Sequence, residues 1–181
     1  MTSRSLRLFR FPRFALCTLA GLAALTGCAS FKGFEPATPE GFSGATVNVA
    51  DRLEPIGNDL VQVFELTRFD GRRLLSSSVA TLNANQGRGF SVKPVALTNE
   101  VPPGPAQVQL QVVTQYAAPF LAMTHPTCRV QGEVAFTPEL GQAYRVTGRV
   151  AAEACEVWIE NLATHQPVTA KVSGKGTGAG R

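Results

Sequence analysis

Ala106–Tyr116 reads AQVQLQVVTQY, and the alternation of Val108, Leu110 and Val112 with Gln107, Gln109 and Gln111 decides the fold class. A period of two sets the apolar side chains on one face of an extended strand and the glutamines on the other. Such a strand belongs to a sheet with one packed face and one wet face. The device recurs downstream. CRVQGEVAF over Cys128–Phe136 sets Cys128, Val130, Gly132, Val134 and Phe136 against Arg129, Gln131 and Glu133. AYRVTGRV aligns Tyr144, Val146, Gly148 and Val150, and CEVWI aligns Cys155, Val157 and Ile159. Upstream, LVQVFELTRF over Leu60–Phe69 places Val61, Val63 and Glu65 on one face and leads into Asp70-Gly71, a hairpin-turn pair.

The remaining segments follow from turn chemistry. TVNVA (Thr46–Ala50) is a first strand, and Arg72–Ala80 returns from the Asp-Gly turn through Leu74 and Leu75 into a polar Ser76-Ser77-Ser78 stretch. An Asn- and Gly-rich loop runs to Gly89. Phe90–Leu97 reads as an edge segment because Pro94 has no N–H to give to a ladder, and Val101-Pro102-Pro103-Gly104 reads as a turn. A last strand is expected near Val168–Val172, and no amphipathic helix is expected. About eight short strands with Pro/Gly turns predict an all-β antiparallel β-sandwich of the immunoglobulin or transthyretin kind, with a closed barrel as the alternative. The sandwich occupies residues 45–172, and residues 173–181, rich in Gly, form a flexible tail whose deletion should be tolerated.

Residues 1–13 (MTSRSLRLFRFPR) are cationic, and the apolar run Phe14–Leu25 is too short for a bilayer span of roughly 20 residues, so residues 1–27 read as a secretory signal peptide. The run ends in Leu25-Thr26-Gly27-Cys28, which resembles the lipobox of bacterial lipoproteins. That resemblance implies cleavage before Cys28, acylation of its thiol, and a lipid anchor to the membrane. Ala29 and Ser30 follow without Asp at the second mature position, which the same resemblance associates with the outer membrane, facing the periplasm. Residues 28–44, mixing Pro, Gly and polar residues, read as a tether between lipid and domain.

Charge then excludes one class of partner. Of the 17 Lys and Arg, Arg4, Arg7, Arg10 and Arg13 lie within the signal segment, and the other 13 balance 13 Asp and Glu. Basic residues in the mature part are scattered rather than striped, so no nucleic-acid interface is expected.

Cysteine usage follows from the compartment. Cys17 lies in the discarded segment and Cys28 carries lipid, which leaves Cys128 and Cys155. Two thiols in an oxidising periplasm read as a disulfide, and both share parity with apolar neighbours, so the bridge belongs in the core. The competing use, Met123, His125 and Cys128 as metal ligands in M-x-H-P-T-C, lacks a second Cys or His pair at ligand spacing, so no metal or other cofactor is expected.

Catalytic signatures are sparse. No G-x-S-x-G elbow occurs, His125 and His165 stand beside Pro or turn residues, and Glu133 and Glu156 fall at solvent-facing strand positions. Trp158 is the outlier, opposite in parity to Cys155, Val157 and Ile159 and flanked by Glu156 and Glu160. On a wet face it is a candidate contact residue. The alternative is that the tether or a loop such as Ala117–Thr127 covers it, or that both faces of its sheet are buried.

The spacing Phe136-x-Pro138-x-x-Gly141-x-x-Tyr144-x-Val146 with Cys155-x-Val157-x-Ile159 resembles small sandwich lipoproteins of proteobacterial envelopes without assigned activity. Val61–Leu66 is also similar to an early strand of the transthyretin-like lipoproteins of type VI secretion, a likeness that Cys128–Val168 does not continue. The expected function is a non-enzymatic envelope lipoprotein acting as an accessory or assembly factor through contacts with an envelope protein. The alternative is a periplasmic module that binds a small ligand or glycan.

Overall fold

The computed structural model describes residues 33–151 and 154–176. The expected signal segment, Cys28 and residues 177–181 lie outside them. Among the described residues the chain order is β1 (Val47–Ala50), β2 (Arg52–Ile56), β3 (Leu60–Phe69), β4 (Arg72–Arg73), α1 (Ser77–Ala84), β5 (Thr98–Val101), β6 (Ala106–Tyr116), α2 (Leu121–Thr124), β7 (Arg129–Phe136), β8 (Ala143–Val150), β9 (Ala154–Asn161) and β10 (Val172–Lys175).

The strands form two sheets. The first runs β10-β9-β8-β1-β5, and the second runs β2-β3-β6-β7 with β4 paired to β3. Alternation fixes which residues meet between them. Phe64 and Leu66 of β3, Val108, Leu110 and Val112 of β6, and Val130, Val134 and Phe136 of β7 face Val47 and Val49 of β1, Tyr144 and Val146 of β8, and Val157 and Ile159 of β9 in one core. Cys128 and Cys155 are bonded to each other with Cα atoms 6.4 Å apart, and both belong to that core. The bridge therefore ties the edge of the second sheet to the first. Asp70 and Gly71 form the expected hairpin turn, with φ of 46° and 79°, the two positive values that a type I′ turn demands.

The structure departs from the sequence reading at five places. The first sheet is mixed, because β1 lies parallel to β8 through Asn48↔Ala143 to Ala50↔Arg145 and antiparallel to β5. Alternation reports which face a residue takes but not the direction of its neighbour. An unforeseen edge strand, β2, pairs with β3, and its Pro55 sits opposite Val61 at the sheet margin, where a missing N–H costs no ladder bond. The last strand is Val172–Lys175 rather than Val168–Val172, so Ser173, Gly174 and Lys175 are sheet residues and not tail.

The fourth departure is at the N-terminal side, where packing begins before Gly44. Glu35 N–H donates to the Arg73 carbonyl at 2.8 Å, Arg73 stacks 4.7 Å above the Phe34 ring, and Ala37 is buried in the core.

The fifth is α1, which stands where a returning strand and a loop were expected, while Phe90 lies in a turn and residues 91–97 run alongside the helix and join neither sheet. The helix buries Ser77 and Thr81 and exposes Leu82, the reverse of an amphipathic stripe. Hydrogen bonds dock it instead. Ser77 Oγ accepts from Leu97 N–H at 2.9 Å, Thr81 Oγ1 from Val95 N–H at 3.0 Å, and Asn85 Oδ1 from Lys93 N–H at 2.8 Å. Four helical residues rise about 6 Å and two extended residues about 6.6 Å, so a polar stripe at i, i+4 and i+8 meets every second N–H of the segment. Pro94, which has no N–H, falls at a skipped position.

Candidate functional site

The outer face of the second sheet was expected to be wet, yet α1 covers part of it. Beneath the helix lie two carboxyl groups, Glu65, fully buried, and Asp51, 6% exposed. Glu65 Oε2 accepts the Ser78 backbone N–H at 2.7 Å, and Oε1 accepts Ser78 Oγ at 2.7 Å and Gln111 Nε2 at 2.8 Å. A carboxylate on a neighbouring strand thus takes one of the N–H groups that a helix leaves unpaired in its first turn. Asp51 Oδ1 accepts Leu66 N–H at 2.9 Å and Oδ2 accepts Ser77 Oγ at 2.6 Å. Burial drives both acidities down. It raises the Asp51 pKa to about 7 against the pull of the Ser77 and Leu66 hydrogen bonds, with Glu65 adding a smaller upward push. Burial likewise raises Glu65, opposed chiefly by Ser78.

Beside this pair the face opens into a cleft of ≈ 310 Å³ between Phe34, the start of α1 and the strands β3, β4, β6 and β7. Its floor is Gln109, Gln111 and Gln131, and its walls carry Ser76, Ser78, Arg68, Arg73 and Arg129. The register explains the assembly. Arg68 pairs with Arg73 across β3–β4 and with Gln109 across β3–β6, Glu65 with Gln111, Gln111 with Gln131, and Val113 with Arg129. A shift in pairing between Leu66 and Arg68 lets Thr67 join the lining. Its hydroxyl donates to the Gln109 carbonyl at 3.1 Å and holds that end of the floor.

The residues singled out from sequence lie elsewhere. Trp158 is half-buried on the outer face of the first sheet opposite Thr147, with the Lys171 ammonium 4.4 Å above its ring. Its flanking acids are paired, Glu156 with Lys171 at 3.5 Å and Glu160 with Arg145 at 2.6 Å. Met123 is 80% exposed, His125 bonds Thr124 and the Leu121 carbonyl, and Cys128 is spent in the disulfide, so M-x-H-P-T-C does not converge. Among the described residues no group of three His, Cys, Asp or Glu is placed to hold a metal ion.

Sequence reasoning missed the cleft. Its parts come from five segments, and each reads alone as ordinary polar decoration. The available signal was the S-x-x-x-T-x-x-x-N stripe at Ser77, Thr81 and Asn85, which marks a polar docking face on the segment that follows the Asp70-Gly71 hairpin. No protein-family model, curated protein or solved structure matches this chain.

Proposed function

We propose that this chain is a lipid-tethered lipoprotein of the bacterial cell envelope whose domain, an immunoglobulin- or transthyretin-like sandwich, acts by contact rather than catalysis. The observation that carries the reading joins sequence to packing. Cys28 ends the lipobox-like run, and the chain already packs at Phe34, where the ring lies under Arg73. Residues 29–33 span roughly 20 Å at full extension, so an acyl group on Cys28 holds the domain close against the headgroups. Two or more acyl chains make that anchorage stable. The perturbed acids support a non-catalytic role, because all four carboxyl oxygens of Asp51 and Glu65 are engaged in holding α1 and β3. In the leading form of this reading the domain is an accessory or assembly factor that meets an envelope protein.

Metabolic labelling with an alkyne fatty acid tests the anchor. The unaltered chain is expected to carry label and to sediment with membranes, and Cys28→Ser to lose both. Label persisting on Cys28→Ser removes the lipobox assignment.

A second reading, a module that binds a small ligand, is favoured by the cleft. Its ≈ 310 Å³ lies at the low end of the roughly 300–1,000 Å³ of ligand sites, and its lining mixes guanidinium, amide and hydroxyl groups.

A further inference from the structure

Resting on the ligand-binding reading, we infer that the cleft is a site for an acidic monosaccharide unit, a sugar bearing a carboxylate or phosphate group. Three arginines line it and no Asp or Glu does. None of the three is in an ion pair among the described residues. Among the described residues the Arg68 side chain reaches only the Gly71 carbonyl at 3.5 Å, Arg73 lies over Phe34, and the Arg129 side chain makes no hydrogen bond or ion pair. This is unlike Arg52, Arg72 and Arg145 elsewhere on the domain, each of which has a carboxylate within 4.0 Å. Glu65 lies behind the lining rather than in it, buried with its oxygens held by Ser78 and Gln111. Glu133, on the same face of β7 and opposite Gln109, lies outside the lining.

The layout sets the ligand's size and chemistry. β3 and β7 flank β6, so they are about 10 Å apart. Arg68 aligns with Gln109 and Arg129 with Val113, about 13 Å along the strand, which puts the two arginines at opposite corners of the glutamine-lined patch. Guanidinium groups recognise carboxylate and phosphate with paired N–H donors. Side-chain amides both donate and accept, as ring hydroxyls require, and Gln131 projects from the floor with no partner among the described residues.

Isothermal titration of the full chain in a neutral polyoxyethylene detergent tests the site, with glucuronate, glucose 6-phosphate, glucose and inorganic phosphate as probes. The two acidic sugars are expected to bind at least tenfold tighter than glucose or inorganic phosphate and to weaken from 50 to about 500 mM salt. Arg68→Gln and Arg129→Gln, both at exposed positions, should each weaken them about tenfold or more. Arg149→Gln, the same charge change on the first sheet, should not. Glucose binding as tightly as glucuronate overturns the acidic requirement and leaves the ligand-binding reading standing. Inorganic phosphate binding as tightly as the sugar acids overturns the sugar requirement. Adsorption to phosphatidylglycerol vesicles without binding of either acidic sugar makes the cleft a membrane-facing surface and overturns the inference. No binding of any probe overturns it together with the ligand-binding reading, while the lipid anchor stands or falls on the label at Cys28.

Discussion

Asp51 sits at the junction of β1 and β2, 6% exposed, with each oxygen holding a different piece of the fold, the β3 backbone at Leu66 and the hydroxyl of Ser77. Its pKa of about 7, against 3.8 for a free side chain, makes it a stability switch within an ordinary pH range. The folded state retains the proton that the unfolded chain gives up. Its contribution is therefore full below about pH 4, falls as pH rises, and is gone above about pH 7. A shift of this size corresponds to on the order of 4 kcal/mol. Urea titrations of the intact chain should give higher stability at pH 4.5 than at pH 7.5, with a much flatter profile for Asp51→Asn, which keeps an acceptor for Leu66 and offers a donor to Ser77. A profile for Asp51→Asn as steep as that of the unaltered chain would show that other groups set the dependence. Neither this acid nor Glu65 could be recognised as buried from the sequence. A lone carboxylate in a strand is normally surface decoration, and the cover here is a helix whose inward residues are polar.

At the scale of elements, the strands that alternate were legible, and those held by their neighbours were not. Leu60–Phe69, Ala106–Tyr116 and Ala143–Val150 have the bounds that their patterns mark. By contrast α1 and β10 have little apolar patterning of their own. VSGK becomes a strand because β9 offers its edge, pairing Val172 with Val157 and Gly174 with Cys155, and because two glycines let β10 approach β7. A Cβ on Gly132 would come within 2.7 Å of Val172, and one on Gly174 within 2.6 Å of Val130. Truncation after Val172 should therefore destabilise the domain, against the expectation from composition. The loss of roughly two or three ladder bonds costs about 1–3 kcal/mol, enough to lower the melting temperature by several degrees. Truncation after Gly176 keeps the strand and is the reference. Equal melting of the two would mean that β10 adds nothing. Gly174→Val should match the first truncation, because the side chain has no space beside Val130.

At the scale of the whole molecule, two sheets share one core, and the covalent link between them joins residues 27 apart in sequence. Elimination paired Cys128 with Cys155 from sequence, since Cys17 and Cys28 belong to the expected signal segment and lipid site, and alternation with apolar residues placed the bridge in the core. The mixed first sheet was not legible, since β1 lies between β5 and β8, two strands distant from it in sequence. The bridge fastens the second sheet at the residue just before β7, its edge strand, while the opposite edge, β2, pairs with β3 and reaches the first sheet through Arg52, which donates to Thr147 Oγ1 at 2.9 Å. In the chain-entropy picture a loop of this length stabilises by roughly 3.6 kcal/mol, by restricting the unfolded chain rather than by adding contacts to the folded one. The double variant Cys128→Ala/Cys155→Ala should therefore keep the far-ultraviolet spectrum of the fold while its urea midpoint falls. The slope of the transition should steepen, because the unlinked chain exposes more surface when it opens. Non-reducing digestion of the unaltered chain should return the two cysteines in one linked peptide pair. Two freely alkylatable thiols would remove the bridge, and a variant unfolded without denaturant would mean that the core cannot hold the two sheets together without it.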